Sequence, residues 1–284
     1  MKIVVTGTRG VPDIQGGVET HCEELFPRIV DDKHEVIVIR RPKYKSAEHD
    51  TNMYKGVKIK DIKTLPGKHF EAIIHTFIAV LYARKIHADI VHIHAIGPSL
   101  IVPLVRILGM KVVMTHHGPD YDRQKWGKLS KNILKMGERV GVKYANHVIV
   151  ISQHIRNIVQ QKYPTQRKLS LIYNGVDLKY PQVENDYLAE LGLENKSYIL
   201  AVGRFVKEKG FDLLINAYKN IENKNIKLVI AGDADHEDQY SISLKKMARD
   251  QNVILTGFIQ KEKLSQLYKS THLFVLPSFH EGLP

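Results

Sequence analysis

Cysteine is almost absent from this chain: Cys22 is the only one in 284 residues. A single thiol cannot close an intrachain disulfide, so a disulfide-stapled secreted scaffold is excluded. No apolar run approaches the roughly 18–20 residues that span a bilayer. The opening "MKIVVTG" reads directly into a core strand, without the pattern of a signal or transit peptide. Zinc-finger spacing, an RNP-like aromatic signature and a helix-turn-helix pattern are all missing, so nucleic acid is not an expected partner. These absences give a cytoplasmic protein as the default expectation.

What is present is the composition of a globular protein, 43% hydrophobic and 25% charged, long enough for one large domain or two of ordinary size. The charge is lopsided: 42 Lys and Arg against 30 Asp and Glu give +12. Such a balance suits an anionic partner, whether a phosphorylated ligand or an anionic membrane surface. The basic excess is densest over 40–68, where a merely solvated face explains it equally well.

Short β-branched runs alternate with helix-length segments. "KIVVTGT", "HEVIVIR", "ADIVHIHA", "KVVMTHHG" and "HVIVIS" are strand candidates in the first half; "YILAVGR", "KLVIAGD", "NVILTGF" and "HLFVLPS" follow in the second. Several are continuous apolar runs, as in parallel strands covered on both faces. Helical patterns occupy 17–31, 209–221 and 237–250. The expectation is an α/β fold of two Rossmann-like domains, 1–178 and 196–284, joined by a linker and enclosing a cleft at the carboxyl ends of their strands. The second domain reads as incomplete, since "FVLPSFHEGLP" ends without a closing helix.

The glycine-rich stretch "GTRGVPDIQGGVETHCEEL" follows the first strand. Its glycines lack G-x-G-x-x-G spacing and no Gly-Lys-Ser/Thr follows, so it is neither a dinucleotide fingerprint nor a P-loop. Gly16 and Gly17 directly precede a helix and bring bare backbone to an anion site, or else serve a turn needing positive φ. Arg40 and Arg41 at the tip of strand two keep an NADP 2′-phosphate in play. In "AVGRFVKEKGFDLLI", Arg204 and Lys209 flank a loop leading into a helix, a site for a diphosphate leaving group unless they are plain surface cations. "THHGPDYDRQKWG" puts His116 and His117 at the end of a strand, with His117 the better candidate for chemistry. Asp120-x-Asp122 and Asp233-x-Asp235 are weak metal motifs, and no metal or cofactor is expected. His92 and His94 share one strand face, where packing is favoured over metal binding. "PSFHEGLP" offers His280 and Glu281, the carboxylate suited to sugar hydroxyls or to capping a following helix. Segment 67–87, with Phe70, Ile73, Ile74, Phe77, Ile78 and Leu81 flanked by Lys68, Arg84 and Lys85, is either a membrane-resting helix or an ordinary packed one.

In order along the chain, "GTRGVPDIQGGVET", "THHGPDYDRQKWG", "IYNGVD", "VGRFVKEKG", "IAGDAD" and "PSFHEGLP" resemble the retaining glycosyltransferases of family 4, with the GT-B fold of two Rossmann-like domains. The likeness is greatest to bacterial enzymes of surface-polysaccharide synthesis, including rhamnosyltransferase-like members. The resemblance implies a nucleotide-sugar donor and a glycan or polyprenyl-diphosphate-linked acceptor, handled in the cytoplasm or peripherally on the inner face of the cell membrane. It assigns Gly16 and Gly17 to the donor diphosphate and incoming acceptor, Arg204 and Lys209 to neutralising the diphosphate, and His117 to the donor sugar. Glu281, beside His280, matches the first glutamate of the family's E-x7-E motif; the second would fall past Pro284. A nucleotide-sugar epimerase of the same fold and an NADP-dependent oxidoreductase are the alternatives.

Overall fold

A computed structural model of the chain describes residues 1–45, 51–64, 71–122, 126–164, 168–176, 187–222, 225–234, 237–259, 261–279 and 281. The chain divides into two compact units, residues 1–174 and 175–282.

In the first unit the elements run β1 (Lys2–Thr6), α1 (Gly17–Leu25), β2 (Glu35–Arg40), β3 (Met53–Tyr54), β4 (Val57–Asp61), α2 (Glu71–Lys85) and β5 (Ile90–His94). They continue as α3 (Val102–Ile107), β6 (Lys111–His116), α4 (Lys128–Tyr144), β7 (His147–Val150), α5 (Gln153–Lys162) and β8 (Leu169–Leu171). Among the described residues the sheet order is β3-β4-β2-β1-β5-β6-β7-β8, parallel except for the β3–β4 pair. The strand order reverses at β1, so the carboxyl ends of β1 and β5 form the topological switch point, where open sheets of this kind bind ligands. Alternation along β1 sends Val4 into one core, with Ile39, Val91 and Ile93, and Ile3 and Val5 into the other, with Val36, Cys22 and Phe26. Both faces are therefore covered, which explains the uninterrupted apolar runs. The helix expected over 17–31 is shorter: α1 stops at Leu25 and a 3₁₀ turn, Phe26–Arg28, takes over. Pro27 has no N–H to continue the helical ladder.

The second unit holds α6 (Tyr187–Glu190), β9 (Tyr198–Val202), α7 (Phe211–Lys219), β10 (Lys227–Ala231), α8 (Gln239–Asp250), β11 (Ile254–Gly257), α9 (Lys261–Ser270) and β12 (Leu273–Phe274). Its parallel sheet runs β11-β10-β9-β12. α8 begins on a capping box in which the Asp238 carboxylate accepts from the Ser241 N–H at 2.8 Å and the Ser241 hydroxyl lies 2.9 Å from the Asp238 N–H. The stretch ahead of β9 is more than a bare linker. Tyr187 and Leu193 are buried in one core with Tyr198, Leu200 and Leu267, so this segment covers one face of the second sheet. Among the described residues no helix is long and apolar enough to cross a membrane.

Candidate active site

The loop after β1 is satisfied largely from within. The Glu19 carboxylate, buried in the first turn of α1, accepts from the Thr8 hydroxyl at 3.2 Å and the Arg9 N–H at 3.0 Å. Gly16 caps α1 with φ near 147°, and a Cβ there would lie 2.1 Å from the second oxygen of Glu19. Only glycine fits. Gly17 is different: nothing approaches the place its Cβ would occupy. Of the two expected glycines, one is required by its surroundings and the other stands in open space at the helix start.

Beside this loop four histidines meet ring to ring. His92 and His94, two apart on β5, stack at 4.3 Å between centroids; His94 and His117, just past β6, stack at 5.2 Å. His21 of α1 closes on His94 and His117 at 5.7 and 5.3 Å, and Phe26 sets its edge against His92 and His94. Two ring nitrogens, Nδ1 of His94 and Nε2 of His117, are 2.9 Å apart. One must donate and the other accept, so at least the accepting ring is neutral. Burial, reinforced by the neighbouring imidazoles, holds His92 and His117 down at about 3 and His94 well below the ordinary histidine value. Burial lowers His21 as well. His117 is thus a neutral hydrogen-bonding group, held so chiefly by burial. Among the described residues no set of three or more His, Cys, Asp or Glu is arranged around a metal position.

His116 points the other way. Its Nδ1 accepts from the Gly118 N–H at 3.1 Å, which leaves Nε2–H to donate to Glu138 Oε1 at 2.9 Å. Glu138, buried on α4, also accepts from the hydroxyls of Tyr121 at 3.0 Å and Tyr163 at 3.2 Å and from Lys162 at 3.3 Å. Burial pushes this carboxyl up, but the His116 bond, with Lys162 and Tyr121, holds it below the usual glutamate range. The network pins both ends of the turn 116–121 and thereby fixes His117 between them.

At the switch point lies a mostly apolar cavity of about 180 Å³, walled by Gly7, Ala95, Ile133, Leu134 and Trp126, with Asp120 at one side. Ala95 directly follows His94, so the cavity adjoins the histidine cluster.

In the second unit three loops converge at the carboxyl edge of the sheet. Gly210 has φ near 63°, and a Cβ there would sit 2.5 Å from the Pro277 carbonyl oxygen; the Phe279 N–H donates to the Glu208 carbonyl at 2.9 Å. This locks the loop after β9 to the loop after β12. The consequence is an ion pair across 72 residues of sequence: Lys209 Nζ lies 2.5 Å from Glu281 Oε1, both partly exposed. Arg204 is half-buried on the same loop. Asp233 is engaged by Lys245 at 3.1 Å. His280 and Asp235 lie outside the described residues.

One expectation is corrected. Arg40 is fully buried and binds Asp61 of the adjacent strand through Nε at 2.7 Å and Nη2 at 3.1 Å. It is committed to the sheet and is not offered to a 2′-phosphate. Sequence reasoning passed over His21 and Glu138 altogether. A histidine four residues after Gly17, and one glutamate on an otherwise basic helix, were the available signals.

The glycosyltransferase family 4 model matches residues 15–180, and the glycosyl transferases group 1 model matches residues 184–284. An uncharacterized glycosyltransferase of Methanocaldococcus jannaschii, MJ1607, is 28% identical over 99% of this chain and 75% of its own length. UDP-Gal:alpha-D-GlcNAc-diphosphoundecaprenol alpha-1,3-galactosyltransferase of Escherichia coli is 29% identical over 71% of this chain and 54% of its own. Among solved structures, Anabaena Alr3699/HepE in complex with UDP-glucose superposes with a TM-score of 0.75 at 18% identity, over 98% of this chain and 74% of that one. With the two parallel α/β units already described, these matches make the chain a GT-B-fold glycosyltransferase, a member of glycosyltransferase family 4.

Proposed function

We propose that this glycosyltransferase moves a sugar from a nucleotide-diphosphate donor, with retention of anomeric configuration, to a glycan or polyprenyl-diphosphate-linked acceptor in surface-polysaccharide synthesis. Residues 1–178 serve the acceptor side and residues 196–284 the donor. The observation that carries the reading is the Lys209–Glu281 pair, with Arg204 on the same loop as Lys209 at the carboxyl edge of the second sheet. Arg204 and Lys209 neutralise the diphosphate as the glycosidic bond breaks, near the N-terminus of α7 where anions are favoured. Glu281, and His280 beside it, receive the sugar hydroxyls. Gly16 and Gly17 lend backbone N–H groups, and neutral His117 donates to or accepts from a sugar hydroxyl without adding charge. An oxocarbenium-like centre forms as the diphosphate leaves, and the acceptor hydroxyl attacks from the same face, giving its proton to the departing phosphate. Positioning and charge stabilisation then do the catalysis, with no separate strong base.

The galactosyltransferase relative is named for a diphosphoundecaprenol acceptor and the Anabaena protein for its complex with UDP-glucose; both are compatible with this donor and acceptor class. A membrane-surface role is supported by α2. Its outward face carries exposed Ile74, Phe77 and Leu81 at helical spacing, ending in exposed Arg84 and Lys85. The test is release of nucleoside diphosphate from a panel of UDP-, GDP- and dTDP-sugars, with a synthetic prenyl-diphosphate sugar as acceptor. Acceptor-dependent release with an α-configured product from an α-configured donor is expected. Acceptor-independent interconversion of donor epimers would instead identify an epimerase.

A further inference from the structure

The carboxyl ends of β1 and β2 hold a second group of charges with no part in the chemistry above. Arg9 follows β1, Arg41 follows β2, and Lys43 sits in the turn Pro42–Tyr44. The Arg41 N–H donates to the Arg9 carbonyl at 2.9 Å, which ties the two loops together. The Arg9 guanidinium carbon is 4.9 Å, and Lys43 Nζ 4.7 Å, from the centre of one ring, that of Tyr44. Lys43 Nζ also lies 2.5 Å from Oε2 of Glu71, the first residue of α2. Two cations thus share one aromatic ring, Lys43 also reaches one carboxylate, and the Arg41 charge is felt by Glu71 and Tyr44.

Two atoms of this group are conspicuous. Arg41 and Glu71 are each more than nine-tenths buried, and among the described residues Arg41 Nε and Glu71 Oε1 have no hydrogen-bond partner. A buried unpaired donor on a cation and a buried unpaired acceptor on an anion are each costly, and native proteins keep few of them. One ligand answers both: a group bearing anionic oxygens for Arg41 and a hydroxyl proton for Glu71. A sugar phosphate has this composition. The neighbouring cavity suits the rest of such a ligand, because Ala72 and Ile73, which directly follow Glu71, line it. Its volume, about 180 Å³, is that of a single ring, and its apolar walls with Trp126 and Asp120 match a pyranose bearing apolar and hydroxyl faces.

We propose that Arg9, Arg41 and Lys43 form a phosphoryl-binding site in the first unit, which takes the phosphate or diphosphate of a glycosyl-phosphate acceptor while its sugar enters the switch-point cavity. This rests on the reading of the first unit as the acceptor side. The phosphoryl group belongs either to a lipid-linked sugar or to a soluble sugar phosphate.

Titration calorimetry on the full chain carrying Arg204→Ala and Lys209→Ala, which removes the donor-side cations, tests it. The probes are glucose 1-phosphate, geranylgeranyl diphosphate and NADPH. Binding of either of the first two, weakened about tenfold or more by Arg41→Gln and by Lys43→Gln, is expected; a tenfold loss corresponds to about 1.4 kcal/mol. Lys43 is half-exposed, so its variant reports even if the buried Arg41 variant misfolds. Tighter binding of geranylgeranyl diphosphate identifies the lipid-linked source, and tighter binding of glucose 1-phosphate the soluble one. Affinity for both phosphates unaltered in the two variants, no binding of either, or NADPH as the only ligand held by these cations would overturn the site. A parallel titration of the parent chain with UDP, GDP and dTDP separates the failures. If these nucleotides bind and the sugar phosphates ignore Arg41 and Lys43, this inference alone falls.

Discussion

Replacing Glu138 tests how the turn bearing His117 is held. The carboxylate is 1% exposed and accepts from His116, Tyr121, Tyr163 and Lys162. In Glu138→Ala, the buried His116 N–H and Tyr121 hydroxyl lose their acceptor, at about 1–3 kcal/mol each. Together the two orphaned donors give an expected loss of about 2–6 kcal/mol. Lys162, 42% exposed, turns to water and adds little. In Glu138→Gln the remaining carbonyl still serves His116 and Tyr121, while the new NH₂ faces Lys162 and Tyr163. A loss of about 1–2 kcal/mol is expected. Urea denaturation of the purified chain measures both. Because burial of this carboxyl is outweighed by its partners, its pKa is lowered on folding. Its contribution is therefore present above the unfolded value of about 4.3 and is lost as the pH falls through the lower, folded one. Glu138→Ala within about 0.5 kcal/mol of wild type, the usual range for a surface substitution, would refute the network.

Two further outcomes follow from the first unit. Gly16→Ala drives a methyl into the Glu19 carboxylate at an unfavourable φ and should cost about 1–3 kcal/mol, whereas Gly17→Ala meets nothing and should stay within about 0.5 kcal/mol of wild type; denaturation midpoints compare them. His92 and His117, held at about 3, and His75, held at about 4 by burial and the Arg41 charge, take up protons in the unfolded state first. Stability is fullest above about pH 6.5 and should fall on acidification by up to about 1.4 kcal/mol per pH unit for each; equal urea midpoints at pH 8 and pH 5 would contradict this.

The central strands were legible because they are buried on both faces, so runs such as "KIVVT" and "EVIVIR" carry no competing polar period; β3, β4 and β8 were not, and in β4 exposed Lys58 and Lys60 interrupt the apolar run. The end of α1 was misjudged because apolar residues continue past Pro27, and only the missing N–H betrays the break. Lys209 and Glu281 could be singled out one at a time from their places after strands. Their pairing could not, since it depends on Gly210 admitting the Pro277 carbonyl from 67 residues away. Of Arg40 and Arg41, the first misled for a related reason. Neighbouring positions on a strand face opposite ways, and only the register of β2 on β4 reveals that Asp61 claims the first. His21 and Glu138 were invisible because their importance lies in what they meet: a ring stack assembled from α1, β5 and the turn after β6, and a buried turn pinned from α4.

The central claim is that Arg204 and Lys209 hold the diphosphate of a sugar nucleotide. Thermal unfolding of the wild-type chain and of Arg204→Ala and Lys209→Ala, with and without UDP, GDP, dTDP and NADPH, tests it most directly. At least one nucleoside diphosphate should raise the wild-type melting temperature, and the shift should vanish in both variants, as loss of a ligand-binding contact removes the stabilisation that ligand confers. Protection by NADPH with none from UDP, GDP or dTDP, or an equal nucleotide shift in all three proteins, would contradict it.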